Sequence, residues 1–126
     1  MSKNDGNTVV EELIGNVRDF LREREWEKYH NPKDLAESIC IEAAELLQVF
    51  QWVRSEESDQ FKNDPSKVHQ IREELADVVI YCLSMANTLN LDLTKAVLDK
   101  IEQNKKKYPI NRYKGKAHAS CMRITT

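Results

Sequence analysis

Two prolines that follow helix-capping residues divide this chain into helices. Asn31-Pro32 and Asp64-Pro65 each combine a residue that caps a helix N-terminus with a proline at the first helical position. Only three glycines and three prolines occur in 126 residues, and β-branched residues form few clusters, so strands are not expected. Apolar residues at helical spacing then predict four helices. These helices cover residues 8–28, 32–54, 65–89 and 92 or 94 to 107.

The segments outside these helices are short and polar. Residues 1–7 are predicted to be a flexible N-terminus, residues 8–109 one all-α domain, and residues 110–126 a basic tail that orders only on contact with a ligand or subunit. Residues 55–64 show no apolar period. A chain of this length builds a modest core that oligomerisation can enlarge. The predicted fold class is therefore an all-α, four-helix bundle completed by oligomerisation.

The charge balance limits the possible partners. A net charge of −2 offers no broad attraction to nucleic acid or to an anionic membrane. No apolar run approaches the roughly 20 residues of a membrane-spanning helix, and the N-terminus lacks the apolar segment of a secretory signal. Cys40, Cys82 and Cys121 show no disulfide-like spacing, and Cys40 and Cys82 are predicted to be buried, reduced thiols. We therefore expect a cytoplasmic protein.

The second and third helices carry acidic residues beside their apolar faces. On a helical wheel Glu42 and Glu45 lie about 60° apart, at i, i+3 spacing, within a broad apolar arc. Glu74 and Asp77 repeat this arrangement on the third helix, beside the stripe that contains Leu75. Acids that simply face solvent would lie on the opposite side of each helix. The wheels therefore predict two pairs of carboxylates close to the core.

Such carboxylates need a compensating charge. A buried carboxylate without a partner is costly, and four that converge repel one another. Hard oxygen ligands suit Mg²⁺, with Mn²⁺ as an alternative. These two helices carry no Glu-x-x-His pair of the di-iron kind, and the set lacks the His and Cys ligands that zinc prefers. The competing interpretation is that the acids pair with Lys or Arg, or line a hydrated groove. Two pairs on consecutive long helices favour a metal site.

The sequence around the acids resembles a known family. Glu42-x-x-Glu45 followed by Glu74-x-x-Asp77 is similar to the motif of the MazG-like, all-α NTP pyrophosphatases. The sequences of residues 24–32, 46–52, 73–81 and 104–109 resemble its dCTP pyrophosphatase branch, and the likeness covers about residues 17–109. The resemblance implies a MazG-like bundle and Mg²⁺-dependent hydrolysis of a nucleoside triphosphate to the monophosphate and pyrophosphate. It also implies a homo-oligomer, a tetramer rather than a dimer, whose core combines helices of two subunits.

The resemblance further implies roles for individual residues. Trp26 and Trp52 match aromatic positions around the base, while Tyr81, Lys100 and Asn104 match positions near the sugar and phosphates. Lys100 and Asn104 also lie at i, i+4, so both can point at one phosphate group. The metal ligands carry over by position to Glu42, Glu45, Glu74 and Asp77.

Catalysis and base selectivity rest on three more observations. Attack of water on the α-phosphorus needs a general base, and Glu45 is the predicted catalytic residue. His30, four residues after Trp26 at a helix junction, is placed with the substrate-binding residues. Val17 stands where the dCTP-specific relatives carry a histidine that approaches the base, so dUTP or general NTPs remain alternative substrates. A non-catalytic helical dimerisation module is the alternative from another functional class.

Overall fold

The computed structural model describes residues 2–116, and within that range it contains only helices and their connections, with no strand. The predicted all-α class is therefore confirmed. The predicted number of four helices was too low, because two single-turn helices also form. The six helices are α1 (Val10–Glu23), α2 (Pro32–Gln48), α3 (Ser55–Ser58), α4 (Pro65–Thr88), α5 (Leu93–Lys107) and α6 (Ile110–Tyr113). Short 3₁₀ segments occupy Glu27–Tyr29 and Asp59–Asn63.

The predicted N-termini of α2, α4 and α5 are confirmed, whereas α1 begins at Val10 rather than at residue 8. Asn31 Oδ1 accepts a hydrogen bond from the backbone N–H of Asp34 at 2.9 Å, and Asp64 caps α4 in the same way. At α5 the sequence left two candidates, and the structure selects Asp92 rather than Thr94. Each of these caps satisfies backbone donors that a helix N-terminus leaves without an intrahelical partner.

The first helix ends at Glu23, earlier than the predicted residue 28. Glu25 adopts a left-handed conformation with φ 54°. The N–H of Trp26 donates to the carbonyl of Leu21 at 2.9 Å, and the N–H of Glu25 donates to that of Arg22 at 3.1 Å. These two bonds define a Schellman motif, which usually places glycine or asparagine at the left-handed position. Because glutamate stands there, the sequence carries no signal for this helix end.

The second helix ends at Gln48, earlier than the predicted residue 54. The chain then forms a turn in which the N–H of Val53 donates to the carbonyl of Phe50 at 3.1 Å. Trp52 is the third residue of that turn and has φ 66°. Bulky residues rarely adopt a positive φ, so the apolar pattern around Phe50, Trp52 and Val53 suggested a longer helix than forms.

The polar connection 55–64 and the predicted tail are partly helical. In α3 the Ser58 hydroxyl donates to the Ser55 carbonyl at 2.6 Å, a local bond that polar side chains form in short turns. The following 3₁₀ segment is anchored by Phe61, whose ring stacks on Phe50 with centroids 5.4 Å apart. The predicted tail begins with α6, and its residues 117–126 lie outside the described part of the chain.

The chain divides into two compact units, Met1–Leu91 and Asp92–Thr126. In the first unit α4 packs against α1, α2 and the Asp59–Asn63 segment. Its buried apolar residues are Leu21, Leu35, Leu83 and Ala86. In the second unit, which holds α5 and α6, the rings of Tyr108 and Tyr113 meet edge to face at 5.2 Å. The predicted domain limits at residues 8 and 109 stay a prediction.

The apolar faces of α2 and α4 are only partly covered. Leu47 on α2 is 70% exposed, and Ile41 on α2 and Leu75 on α4 are 59% and 49% exposed. Four buried apolar residues among residues 2–116 are few for a chain of this length. Large apolar side chains left exposed in this number are typical of a chain that packs against a partner.

Two smaller expectations have different outcomes. Cys40 is exposed rather than buried, because α4 covers a different face of α2, whereas Cys82 is half-buried. Both thiols are free, and Cys121 lies outside the described residues. Within residues 2–116, no helix combines the length and apolar character needed to cross a bilayer.

Candidate active site

The packing of α2 against α4 brings three of the predicted metal ligands together. One carboxylate oxygen each from Glu42, Glu45 and Glu74 lies within 4.8 Å of the other two. Glu42 and Glu74 are half-buried and Glu45 is exposed. Asp77 follows Glu74 by three residues on α4 and is exposed, but its oxygens are not part of this group. We call Glu42, Glu45 and Glu74 the acidic cluster.

The acidic cluster is electrostatically unfavourable as it stands. Burial raises the pKa of Glu42 above its usual value, and hydrogen bonding to Glu45 and the charges of Glu45, Asp77 and Glu74 raise it further. Burial likewise raises the pKa of Glu74, followed by the negative charges of Glu45 and Asp77. The Oε2 atoms of Glu42 and Glu74 are both buried without a hydrogen-bond partner. Both carboxylates are therefore short of positive charge and of donors.

The described part of the chain supplies no cation to offset this charge. None of the four predicted ligands forms an ion pair with a Lys, Arg or His among residues 2–116. The competing interpretation, in which basic side chains neutralise the acids, is thus excluded for those residues. A donor set made of carboxylate oxygens, two of them buried and unmatched, fits a hard divalent cation. Without His or Cys in the cluster, it does not fit zinc.

His30 and Tyr81 lie together although 51 positions separate them in the sequence. Their rings are nearly parallel, at 21°, with centroids 6.1 Å apart. The Nδ1 atom of His30 is 3.0 Å from the Oγ atom of Ser84, and the Thr88 hydroxyl donates to the His30 carbonyl at 3.3 Å. Tyr81 stands one helical turn after Asp77 on α4. The junction before α2 is therefore tied to the segment of α4 that follows the acidic residues.

Trp26 is held at the end of α1 by the Schellman motif. Its ring meets that of Phe20 edge to face, with centroids 5.8 Å apart. The Arg24 guanidinium lies over the Phe20 ring at 4.0 Å and donates to the Phe20 carbonyl at 3.0 Å. An apolar contact like that between Phe20 and Trp26 commonly accompanies a Schellman motif. Trp26 remains 45% exposed, so part of its ring is available to a ligand.

Trp52 is the most exposed large apolar residue in the described part of the chain. It is 93% exposed and sits on the left-handed turn that follows α2. Packing within the described part of the chain does not explain why a tryptophan occupies this position, because its side chain is exposed and its backbone conformation does not favour a bulky residue. An amphipathic ring in such a position is typical of a residue that contacts a partner or ligand.

The remaining predicted ligands belong to the second unit. Lys100 is exposed and Asn104 is half-buried, and both lie on α5 at i, i+4 spacing. This spacing places them on one face of α5, as the sequence predicted.

Comparison with known proteins identifies the family. A model of the MazG-like family matches residues 37–119, which is more than half of the chain and includes both pairs of acidic residues. The chain belongs to the MazG-like family. The family resemblance predicted from the sequence is thereby confirmed.

Individual relatives of this MazG-like protein carry more specific names. It is 35% identical to dCTP pyrophosphatase 1 of Bos taurus over 99 residues, 79% of this chain and 59% of the relative. It is 36% identical to dCTP pyrophosphatase 1 of Homo sapiens over 91 residues, 72% of this chain and 54% of the relative. The chain thus spans little more than half the length of these relatives. A crystal structure of a pyrophosphatase from Archaeoglobus fulgidus matches with a TM-score of 0.73 and 41% identity, covering 86% of this chain and 99% of that one.

Two residues that contact predicted substrate-binding residues were not assigned from the sequence. Phe20 packs against Trp26, but this contact depends on the turn at Glu25, which the sequence does not predict because position 25 is neither glycine nor asparagine. Ser84 lies on α4 two turns after Asp77, and its contact with His30 depends on tertiary packing. A single small polar residue in an apolar stretch of helix is the weak signal that could have indicated Ser84.

Proposed function

We propose that this MazG-like protein is an enzyme that hydrolyses (deoxy)nucleoside triphosphates to the monophosphate and pyrophosphate with Mg²⁺, and that its substrate is dCTP or a modified, dCTP-like nucleotide. The observation that carries the proposal is the acidic cluster, in which two buried carboxylate oxygens lack any partner. The names of the relatives support a pyrophosphatase, and two of them support a cytosine nucleotide. Such an activity removes unwanted nucleotides from the cellular pool.

Each acidic residue has a distinct task in this proposal. Glu42, Glu45, Glu74 and Asp77 hold Mg²⁺, or Mn²⁺ in its place. The metal supplies positive charge that stabilises the triphosphate oxygens during cleavage. Glu45 is the exposed member of the cluster, so its carboxylate can accept the proton of the attacking water while Glu42 and Glu74 remain engaged. We therefore assign the general base to Glu45.

The aromatic residues bind the nucleoside. Trp26 and Trp52 expose ring surface on which a base can stack. His30 and Tyr81, one turn beyond Asp77, take the sugar, because the sugar adjoins the α-phosphate. Lys100 and Asn104 are proposed to bind the phosphates from α5.

The uncovered faces of α2 and α4 support a homo-oligomer. Leu47, Ile41 and Leu75 expose about half or more of their surface, and a second copy would bury them. We propose a tetramer in preference to a dimer. A cytoplasmic location stays a prediction.

The test is a screen of nucleotides for pyrophosphate release with Mg²⁺, with Mn²⁺ and with EDTA. We expect pyrophosphate from dCTP or its modified forms only when a divalent metal is present. Glu45→Gln should abolish release. Glu37→Gln makes the same charge change on an exposed part of α2 and should remain active. Release of orthophosphate, or equal activity in EDTA, would contradict the proposal.

A second candidate changes only the substrate, to dUTP or general NTPs. It is favoured by Val17, which is half-buried on α1 and has no group that can hydrogen-bond a base. The same screen decides between them, since a general enzyme would hydrolyse several nucleotides with similar kcat/KM.

The alternative from another class is a non-catalytic helical module. Such a module would melt at the same temperature with and without Mg²⁺ and a non-hydrolysable nucleotide. An enzyme whose native state binds both ligands would melt higher.

A further inference from the structure

Ser84 is the one fully buried polar side chain among residues 2–116, at 1% exposure. Its Oγ lies 3.0 Å from His30 Nδ1, and within the described residues its hydroxyl makes no other hydrogen bond. A serine in a helix often donates to the carbonyl four residues earlier, but this one does not. Among the described residues, His30 is therefore the only hydrogen-bond partner of the Ser84 hydroxyl.

This hydrogen bond determines which ring nitrogen of His30 carries the proton. An O–H donor buried without an acceptor costs about 1–3 kcal/mol, so the Ser84 hydroxyl donates and Nδ1 accepts. A neutral imidazole whose Nδ1 accepts carries its hydrogen on Nε2. The ring therefore offers a neutral N–H donor on the edge away from Ser84.

The position of the ring is constrained as well as its tautomer. Its face lies along the ring of Tyr81, with the ring planes 21° apart and the centroids 6.1 Å apart. Tyr81 is one turn after Asp77, so His30 is held near the predicted phosphate end of the nucleotide. The sugar adjoins the α-phosphate and presents ether and hydroxyl oxygens, which accept hydrogen bonds from an N–H group.

We propose that Ser84 is a positioning residue of the nucleotide site, which fixes the Nε2–H tautomer of His30 so that the imidazole donates to an oxygen of the nucleotide sugar. This inference rests on the proposed function, because it needs a nucleotide. Among the described residues the Ser84 hydroxyl hydrogen-bonds only to His30, and in this proposal it acts on the nucleotide through the imidazole.

The first test is the ¹⁵N spectrum of the histidine rings. The chain contains only three histidines, so single substitutions of His69 and His118 assign the His30 signals. With the imidazoles neutral, wild-type His30 should show an unprotonated Nδ1 and a protonated Nε2. In Ser84→Ala, His30 should become a mixture of both tautomers. Thr88→Val is the matched control, because it removes the other side-chain bond to His30 without touching the ring, and its spectrum should match the wild type.

The second test separates positioning from packing by kinetics. Ser84→Ala should raise KM for the preferred nucleotide about three- to tenfold with little change in kcat, since a lost ground-state hydrogen bond weakens binding uniformly. Thr88→Val should stay within about twofold of wild type, as expected for a bond remote from the ligand. In a His30→Ala background, Ser84→Ala should raise KM no further, because its effect passes through the imidazole.

Several results would overturn the inference. They are an unchanged His30 spectrum in Ser84→Ala, a rise in KM that persists in the His30→Ala background, or an equal rise in Thr88→Val. If wild type is active and any of these occurs, the proposed function stands and the role of Ser84 falls. If wild type hydrolyses no nucleotide, both fall, while the spectra still decide whether Ser84 sets the tautomer.

Discussion

Replacing Glu42 by glutamine should stabilise the metal-free protein and remove its response to Mg²⁺. Glutamine keeps the length of the side chain but carries no charge for Glu45, Glu74 and Asp77 to repel. Glu42 Oε2 is buried with no partner, and an unmatched buried acceptor costs about 1–3 kcal/mol. Because Glu42 is half-buried, we expect the lower end, a gain of about 1 kcal/mol. For a chain of this length that corresponds to a rise in Tm of about 3–5 °C.

The gain should depend on pH in a defined direction. Burial and the neighbouring carboxylates raise the pKa of Glu42 above 4.5, so the folded protein holds this proton where the unfolded chain has released it. The stability of the metal-free wild type therefore falls as pH rises from about 4.5 through the raised pKa. Glu42→Gln does not show this part of the fall in stability, because glutamine does not ionise. Its advantage should vanish below about pH 4 and reach its full size at neutral pH.

Mg²⁺ should reverse the order of the two proteins. In the proposed function the wild-type cluster binds the ion in its ionised form, and a metal present at about 100 times its Kd would add about 2.7 kcal/mol. Glu42→Gln loses a ligand oxygen and should gain little. The assay is urea unfolding from pH 4 to 8, in EDTA and in MgCl₂, at one protein concentration. Glu37→Gln, on the same helix and 3.5 Å from Lys33, is the control and should follow the wild type.

A Glu42→Gln variant less stable than the wild type without metal at neutral pH would contradict the predicted charge repulsion. A variant that kept the full Mg²⁺ response of the wild type would contradict the role of Glu42 as a ligand. A wild type whose stability in EDTA does not fall between pH 4.5 and 7 would contradict the raised pKa of Glu42.

Three further predictions concern the strained turns and the metal site. Glu25→Gly should raise the free energy of unfolding by about 1 kcal/mol in urea, because glycine adopts the left-handed conformation without strain; no gain would contradict the strain. Trp52→Ala should raise KM about tenfold, the cost of one lost stacking contact, and leave Tm nearly unchanged since the side chain is 93% exposed; an unchanged KM would remove Trp52 from the site. Asp77→Asn should abolish pyrophosphate release while circular dichroism shows an intact fold, and retained turnover would remove Asp77 from the metal site.

Helix starts could be predicted from this sequence because their signals are local. Asn31 and Asp64 each combine a side-chain acceptor with a following proline, and the structure uses both as caps. The ends of α4 and α5 fall within one residue of the predicted positions 89 and 107, but the ends of α1 and α2 were not predicted. The chain leaves α1 and turns after α2 through left-handed residues, Glu25 and Trp52, whose types do not favour that conformation. Local residue preference therefore does not predict the path of the chain at either place.

The acidic cluster could be predicted because it needs only helical periodicity and one packing contact. Placing Glu42 and Glu45 beside one apolar face and Glu74 beside another implies that the two faces meet, and α2 does pack on α4. The same wheels did not resolve that Asp77 would fall outside the closest group. A difference of that kind depends on the rotation of one helix against another, which periodicity leaves undetermined.

Three departures from ordinary folding preferences fall at residues of the proposed site or next to one of them in the sequence. Glu25 and Trp52 adopt left-handed conformations that cost about 1–2 kcal/mol each, and Glu42 carries an unmatched acceptor. A single substitution would relieve the strain at Glu25 or at Trp52, yet the chain retains both residues as well as Glu42. Strain that survives in a marginally stable protein is more readily explained by function than by folding. Glu25 lies in the turn that holds Trp26, Trp52 exposes its ring, and Glu42 belongs to the acidic cluster. We therefore expect the binding of metal and nucleotide to offset the destabilisation that these three residues cause in the ligand-free protein.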